Sequence, residues 1–108
     1  MIKRVTLFRA KPGRSMDDIR RWWANHAETA KRLPGVRGYT RNLLVKPLTA
    51  TIDVTGVAEF WYDSEEAMNK AISTPLFTVD LRKDSEPFID SLGSYIAEEH
   101  ITVPLRQR

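Results

Sequence analysis

Between Thr51 and Tyr62 the chain places apolar side chains at both parities of a two-residue period. Ile52, Val54, Ala58, Phe60 and Tyr62 share one face of the strand that this spacing predicts, and Val57, Glu59 and Trp61 share the other. A half-buried strand would alternate apolar with polar groups. This one asks to be covered on both sides, since every large apolar group left in water forfeits about 25 cal/mol for each Å² of apolar surface not buried.

The elements around it follow from local signals. Ile2–Phe8 reads as a first strand and stops at Lys11-Pro12-Gly13, where proline and glycine enforce a turn. Ser15 is placed as an N-cap, with Asp17 and Asp18 at the positive end of the helix it opens. That helix runs to about Leu33, where Pro34-Gly35 stops it, and a second strand is expected over Val36–Val45, before Lys46-Pro47. After the third strand, Asp63-Ser64-Glu65-Glu66 starts a second helix through Ala67, Met68, Ala71 and Ile72. Pro75 interrupts it, a further helical piece is expected over part of Phe77–Leu92 with Ser85 as its cap, and Tyr95–Val103 reads as the last strand. The order is βαββαβ, an α+β ferredoxin-like arrangement with a four-stranded antiparallel sheet and helices on one face. Helices then cover only one side of strand three, and the other side predicts a homodimer in which two sheets face each other.

At 108 residues, 42% of them hydrophobic and 29% charged, the expectation is a single folded domain over residues 1–108. No stretch approaches the ~20 apolar residues of a membrane span and there is no cysteine, which together suggest a cytoplasmic protein without membrane attachment. The net charge of +3 is spread along the chain and mixed with 14 acidic residues, so no nucleic-acid partner is expected, although an anionic small molecule is compatible. RNA-recognition motifs share the βαββαβ order, but Val57 and Glu59 stand where their third strand needs stacking rings.

The first helix carries the residue that asks for a chemical explanation. Ile19, Trp22, Trp23, Ala30 and Leu33 fall on one helical face, opposite Arg20, Arg21, Glu28, Lys31 and Arg32, and His26 projects from the middle of the apolar side. An imidazole there can be a satisfied core group. Flanked by tryptophans, it is also suited to accept and return a proton as a general base. Tyr39 follows the helix-ending Pro34-Gly35 and would offer a phenol to a carbonyl or enolate oxygen. Glu59 is a candidate to orient His26 or bind a substrate hydroxyl. Trp22, Trp23, Trp61 and Phe77 would line a pocket for a flat apolar or aromatic substrate. His26 and His100 have no ligand spacing, and no glycine-rich phosphate loop occurs, so neither a metal nor a nucleotide cofactor is expected.

Four segments carry a resemblance: Trp-Trp-x-x-His on the first helix, Leu-Pro-Gly-Val-Arg-Gly-Tyr after it, Glu-Phe-Trp-Tyr-Asp-Ser-Glu-Glu at the third strand, and Ala-Glu-Glu-His-Ile near the end. Together they resemble the EthD-like family, named for ethyl tert-butyl ether degradation, whose relatives include methylmuconolactone methylisomerase and polyketide decarboxylases or dehydratases. The resemblance implies a dimeric α/β barrel, a pocket between sheet and helices in each subunit, and a role for His26, which matches the helix-one histidine of the methylisomerase. A cysteine of that enzyme, between the glutamate and tryptophan of strand three, is replaced here by Phe60. The expected activity is a cofactor-independent isomerase, cyclase or lyase moving a proton on a lactone, polyketide or aromatic intermediate. Alternatives are a cofactor-free oxygenase of the same fold, for which Asn25 and Asn42 are available, and non-catalytic binding of a small molecule.

Overall fold

In the computed structural model, which describes residues 1–49 and 51–106, strand β1 (Ile2–Ala10) lies between β3 (Gly56–Tyr62) and β4 (Ile89–Ala97). Strand β2 (Gly38–Leu43) pairs with the other edge of β3, giving the order β2-β3-β1-β4, antiparallel throughout. This is the α+β, ferredoxin-like architecture that the order of elements predicts. The domain expected over 1–108 also takes in residues 50, 107 and 108, which lie outside the described residues.

Helix α1 (Met16–Ala30) is opened by a capping box in which the Ser15 hydroxyl accepts from the Asp18 amide and the Asp18 carboxylate accepts from the Ser15 amide, both at 3.1 Å. Ahead of it, Pro12-Gly13 forms a tight turn closed by the Arg14 amide on the Lys11 carbonyl, with Gly13 at φ +87°, a conformation that favours glycine. Ser64 caps helix α2 (Glu65–Ile72) through the Ala67 amide. Helix α2 ends at Ile72, ahead of Pro75, as expected, and Pro75 leads into a further helical piece, a π-helical segment Leu76–Leu81 that passes into the short α3 (Arg82–Ser85). Ser85 therefore closes this piece instead of capping its start.

The helices lie on one face of the sheet, where Phe8, Ala58, Phe60 and Tyr62 meet Ile19, Trp22, Trp23, Met68, Ala71 and Leu81 in a common core. Phe8 stands edge-on to both indoles, with centroids 5.8 Å from Trp22 and 4.7 Å from Trp23. Gly56 makes this possible, because a Cβ there would fall 2.3 Å from Phe8 Cζ and 2.9 Å from Trp23 Cζ3.

Strand β1 runs on past Phe8 to Ala10 and β2 is shorter at both ends than the expected Val36–Val45, but the larger differences from the sequence reading are in β3 and β4. Strand β3 begins at Gly56 and not at Thr51, since pairing with β2 ends at Leu43↔Gly56 and Ile52 is 72% exposed in the loop before it. The last strand begins at Ile89 and not at Tyr95. Its partner β1 offers pairing positions only from Lys3 to Ala10, matched to Ala97 back to Ile89, so the β-branched Ile101 and Val103 fall beyond the sheet. Among the described residues no helix is long and apolar enough to cross a membrane.

Candidate active site

By the two-residue period, Arg4, Thr6 and Phe8 of β1 share the helix-covered face with Ala58 and Phe60 of β3 and Tyr39 of β2. Between this floor and the helices is a cavity of about 380 Å³. Trp22, Trp23 and His26 reach it from α1, and Phe77, Thr78 and Leu81 from the π-helical segment. The wider turn of that segment continues into α3, which brings a second titratable group alongside His26.

That group is Asp84. Its Oδ2 lies 2.7 Å from Nδ1 of His26, whose side chain is only 14% exposed. The Trp22 indole N–H donates to both the Asp84 carbonyl, at 3.0 Å, and its carboxylate, at 3.2 Å, and the Trp22 and His26 rings lie 4.7 Å apart. The carboxylate is thus braced from α1 and in turn fixes the imidazole. With Nδ1–H donating to Asp84, the lone pair of the neutral ring is at Nε2, which has no protein partner among the described residues.

Tyr39 lines the same cavity, its ring stacked on Phe60 at 4.2 Å and 10°. Burial pushes its phenol above the ordinary value, with the Trp23 indole and the Arg41 charge acting the other way. It therefore stays protonated, a donor to an oxygen in the cavity. Trp22, Trp23, Phe60 and Phe77 make the space mainly aromatic.

Glu59 and Trp61 are not brought to this site. Their parity puts them on the opposite face of the sheet, so Glu59 is not beside His26 and Trp61 is no part of the cavity wall. Glu59 pairs there with Lys3 and accepts from Thr40 at 2.7 Å and Asn42 at 3.0 Å. Lys3 is the main reason its carboxyl is held below the usual range, with burial opposing. The Trp61 indole donates to Glu99 at 3.1 Å, and Lys3 lies over its ring. Asn42 belongs to this outer network, and Asn25 is exposed on α1 outside the cavity wall.

Sequence reasoning singled out neither Asp84 behind His26 nor Arg4 on the cavity floor. Asp84 has no local signature, because only the path of the π-helical segment brings it to His26. Arg4 could have been found, since it is a charged residue at the parity of Phe8 on a strand whose inner face is otherwise Ile2, Thr6, Phe8 and Ala10. No three His, Asp or Glu side chains converge as metal ligands among the described residues.

Solved structures share this shape. An ethyl tert-butyl ether degradation (EthD) family protein from Bacillus halodurans is 18% identical over 93% of this chain and all of its own, with a TM-score of 0.71. SnoaB, a cofactor-independent oxygenase from Streptomyces nogalater, is 18% identical over 94% of this chain and 97% of its own, with a TM-score of 0.66. A dimeric ferredoxin-like protein of unknown function from Bacteroides fragilis is 13% identical over 89% of this chain and 91% of its own, with a TM-score of 0.65. No curated protein matches the sequence. The EthD domain, by contrast, matches residues 11–92, a span that holds the His26–Asp84 pair, Tyr39 and the π-helical segment, and the chain therefore belongs to the EthD family.

Proposed function

We propose that this protein is a cofactor-independent enzyme in which His26 moves a proton on a flat, conjugated small molecule held in the aromatic cavity. The reaction class is isomerase, cyclase or lyase, on a lactone, polyketide or aromatic intermediate. The observation that carries the reading is the Asp84–His26 pair, with Nδ1 bound at 2.7 Å and Nε2 free of protein partners among the described residues, on a ring that lines the cavity. Asp84 sets the tautomer and stabilises the imidazolium that forms. His26 Nε2 takes a proton from a carbon next to a carbonyl, Tyr39 donates to the oxygen that becomes negative, and the imidazolium returns the proton at another carbon or to a leaving hydroxyl. The rings of Trp22, Trp23 and Phe77 line the wall against which a flat substrate lies.

The active unit is a homodimer built on the uncovered sheet face, where Val5, Leu7, Val57 and Trp61 surround the Lys3–Glu59 pair. The likeness to a dimeric ferredoxin-like protein supports this. A second reading, a cofactor-free oxygenase, is supported by the likeness to SnoaB and by the two cavity tryptophans. The position of Asn25 and Asn42 away from the cavity weighs against the version in which an asparagine assists oxygen chemistry.

Turnover of candidate lactones, polyketide intermediates and anthrones, followed together with dissolved oxygen, separates the two. Product without oxygen uptake is expected, with turnover lowered by about 10² to 10⁴-fold in His26→Gln. Stoichiometric oxygen uptake would favour the oxygenase.

A further inference from the structure

The surface arginines Arg9, Arg20, Arg21 and Arg37 each stand beside an aspartate. Arg4 does not. It lies on the central strand, on the cavity floor, partly buried, and no carboxylate is within ion-pair distance of it among the described residues. One of its five N–H groups donates to Ser94 Oγ at 3.2 Å, and Ser94 in turn lies 3.2 Å from the Thr6 hydroxyl. Its guanidinium carbon is 5.1 Å from the Phe77 ring centre and 5.9 Å from that of Phe60, so the plane is held between rings while the other N–H groups have no protein acceptor among the described residues. Burial works against its charge, yet an arginine remains a cation. The remaining charged groups on the wall are the exposed Arg82 and Glu86 beside the His26–Asp84 pair.

A partly buried guanidinium that faces an aromatic cavity and has no carboxylate partner among the described residues is suited to take an anion. We propose that Arg4 is the anchor for a carboxylate of the substrate, and that the substrate class is a flat, conjugated carboxylic acid. Its acid group lies on the floor against Arg4 and Ser94, and its ring system lies between Phe60 and Phe77 and the α1 tryptophans. This deepens the reading above and rests on the cavity being the substrate site. Arg4 binds and orients the acid, leaving proton transfer to His26.

The test is the binding of 2-naphthoate against its uncharged counterpart 2-naphthamide, measured by calorimetry at pH 7 on the whole protein. The wild type is expected to prefer the carboxylate by about ten- to a hundredfold, the range of charge-assisted hydrogen bonds. Arg4→Met should abolish the preference, Arg4→Lys should retain part of it, and Ser94→Ala should reduce it severalfold. If Arg4→Met fails to fold by circular dichroism, the lysine and alanine variants decide: an unchanged preference in both overturns the proposal. Equal binding of the two probes by the wild type, or no binding of either at millimolar concentration, overturns it as well. So does a preference that vanishes in His26→Gln and survives in the Arg4 variants, because the anion would then sit on the imidazole. Binding is read here without turnover, so failure of the proton-transfer mechanism would leave a carboxylate preference at Arg4 standing.

Discussion

His26 and Asp84 come from elements far apart in the chain, and the proton transfer proposed for them depends on one hydrogen bond of 2.7 Å. Asp84→Asn keeps the size of the side chain while removing the charge, and its amide can donate to Nδ1 as readily as its oxygen can accept. The ring can then turn its lone pair away from the cavity. The expected result is a loss of kcat of about tenfold or more with KM little changed, by the logic that governs a carboxylate behind a catalytic histidine. Nitrogen-15 spectra of the imidazole should show Nδ1 protonated and Nε2 bare in the wild type, and a mixture in the variant; an unchanged tautomer with unchanged kcat would assign Asp84 to packing. His26 and Tyr39 were legible in the sequence because helical periodicity and a Pro-Gly stop place them facing inward. Glu59 was misplaced for an equally physical reason. On a strand apolar at both parities, nothing local says which face meets the helices, and the assignment is made by the aromatic core around Phe8 and Phe60.

At the scale of elements, the signals that held were those whose partners lie within a few residues. Ser15 caps the helix it was expected to cap, α2 starts within the Asp63-Ser64-Glu65-Glu66 segment expected to start it, and Pro12-Gly13 turns where it was expected to turn. The signals that failed depend on distant pairing. Ile101 and Val103 favour a strand intrinsically but find no pairing strand among the described residues, whereas Ser91, Gly93 and Ser94 look unlike a strand and are held in one by β1. The junction between α1 and the sheet is set by Gly56, and Gly56→Ala tests it. The added methyl meets two buried rings that cannot both retreat, so a destabilisation of about 1 to 3 kcal/mol is expected, read as a lower urea midpoint with unchanged slope. Equal midpoints for variant and wild type would mean that the Phe8–Trp23 contact yields without cost.

The whole molecule leaves one face of its sheet uncovered, and that is where the proposed dimer forms. Sedimentation at micromolar concentration should give a dimer, and Leu7→Arg, on that face beside Val57, should shift it toward monomer without unfolding it. A wild-type monomer would remove the reason for the two-sided strand. Acid should weaken the fold in a predictable direction. The Lys3 partner holds the Glu59 carboxyl low, the Ser15 amide that of Asp18, Arg37 that of Asp63 and Lys11 that of Asp90. Folded pKa values below the unfolded ones mean that the unfolded chain binds more protons as these groups titrate. Their stabilisation is therefore present at neutral pH and lost as pH falls below roughly 4. Since most of these pairs are exposed, the effect should be modest and shrink in salt, and a urea midpoint that does not fall between pH 6 and pH 3 would contradict it.

The central claim, proton transfer by His26, is tested most directly by deuterium exchange. Candidate lactones and conjugated keto acids are incubated with enzyme in D₂O, and the loss of the C–H signal next to the carbonyl is followed by proton NMR in wild type and in His26→Gln of verified fold. The wild type should exchange that hydrogen and the variant should do so about 10² to 10⁴-fold more slowly. Exchange at the same rate in a stably folded His26→Gln protein would contradict the mechanism.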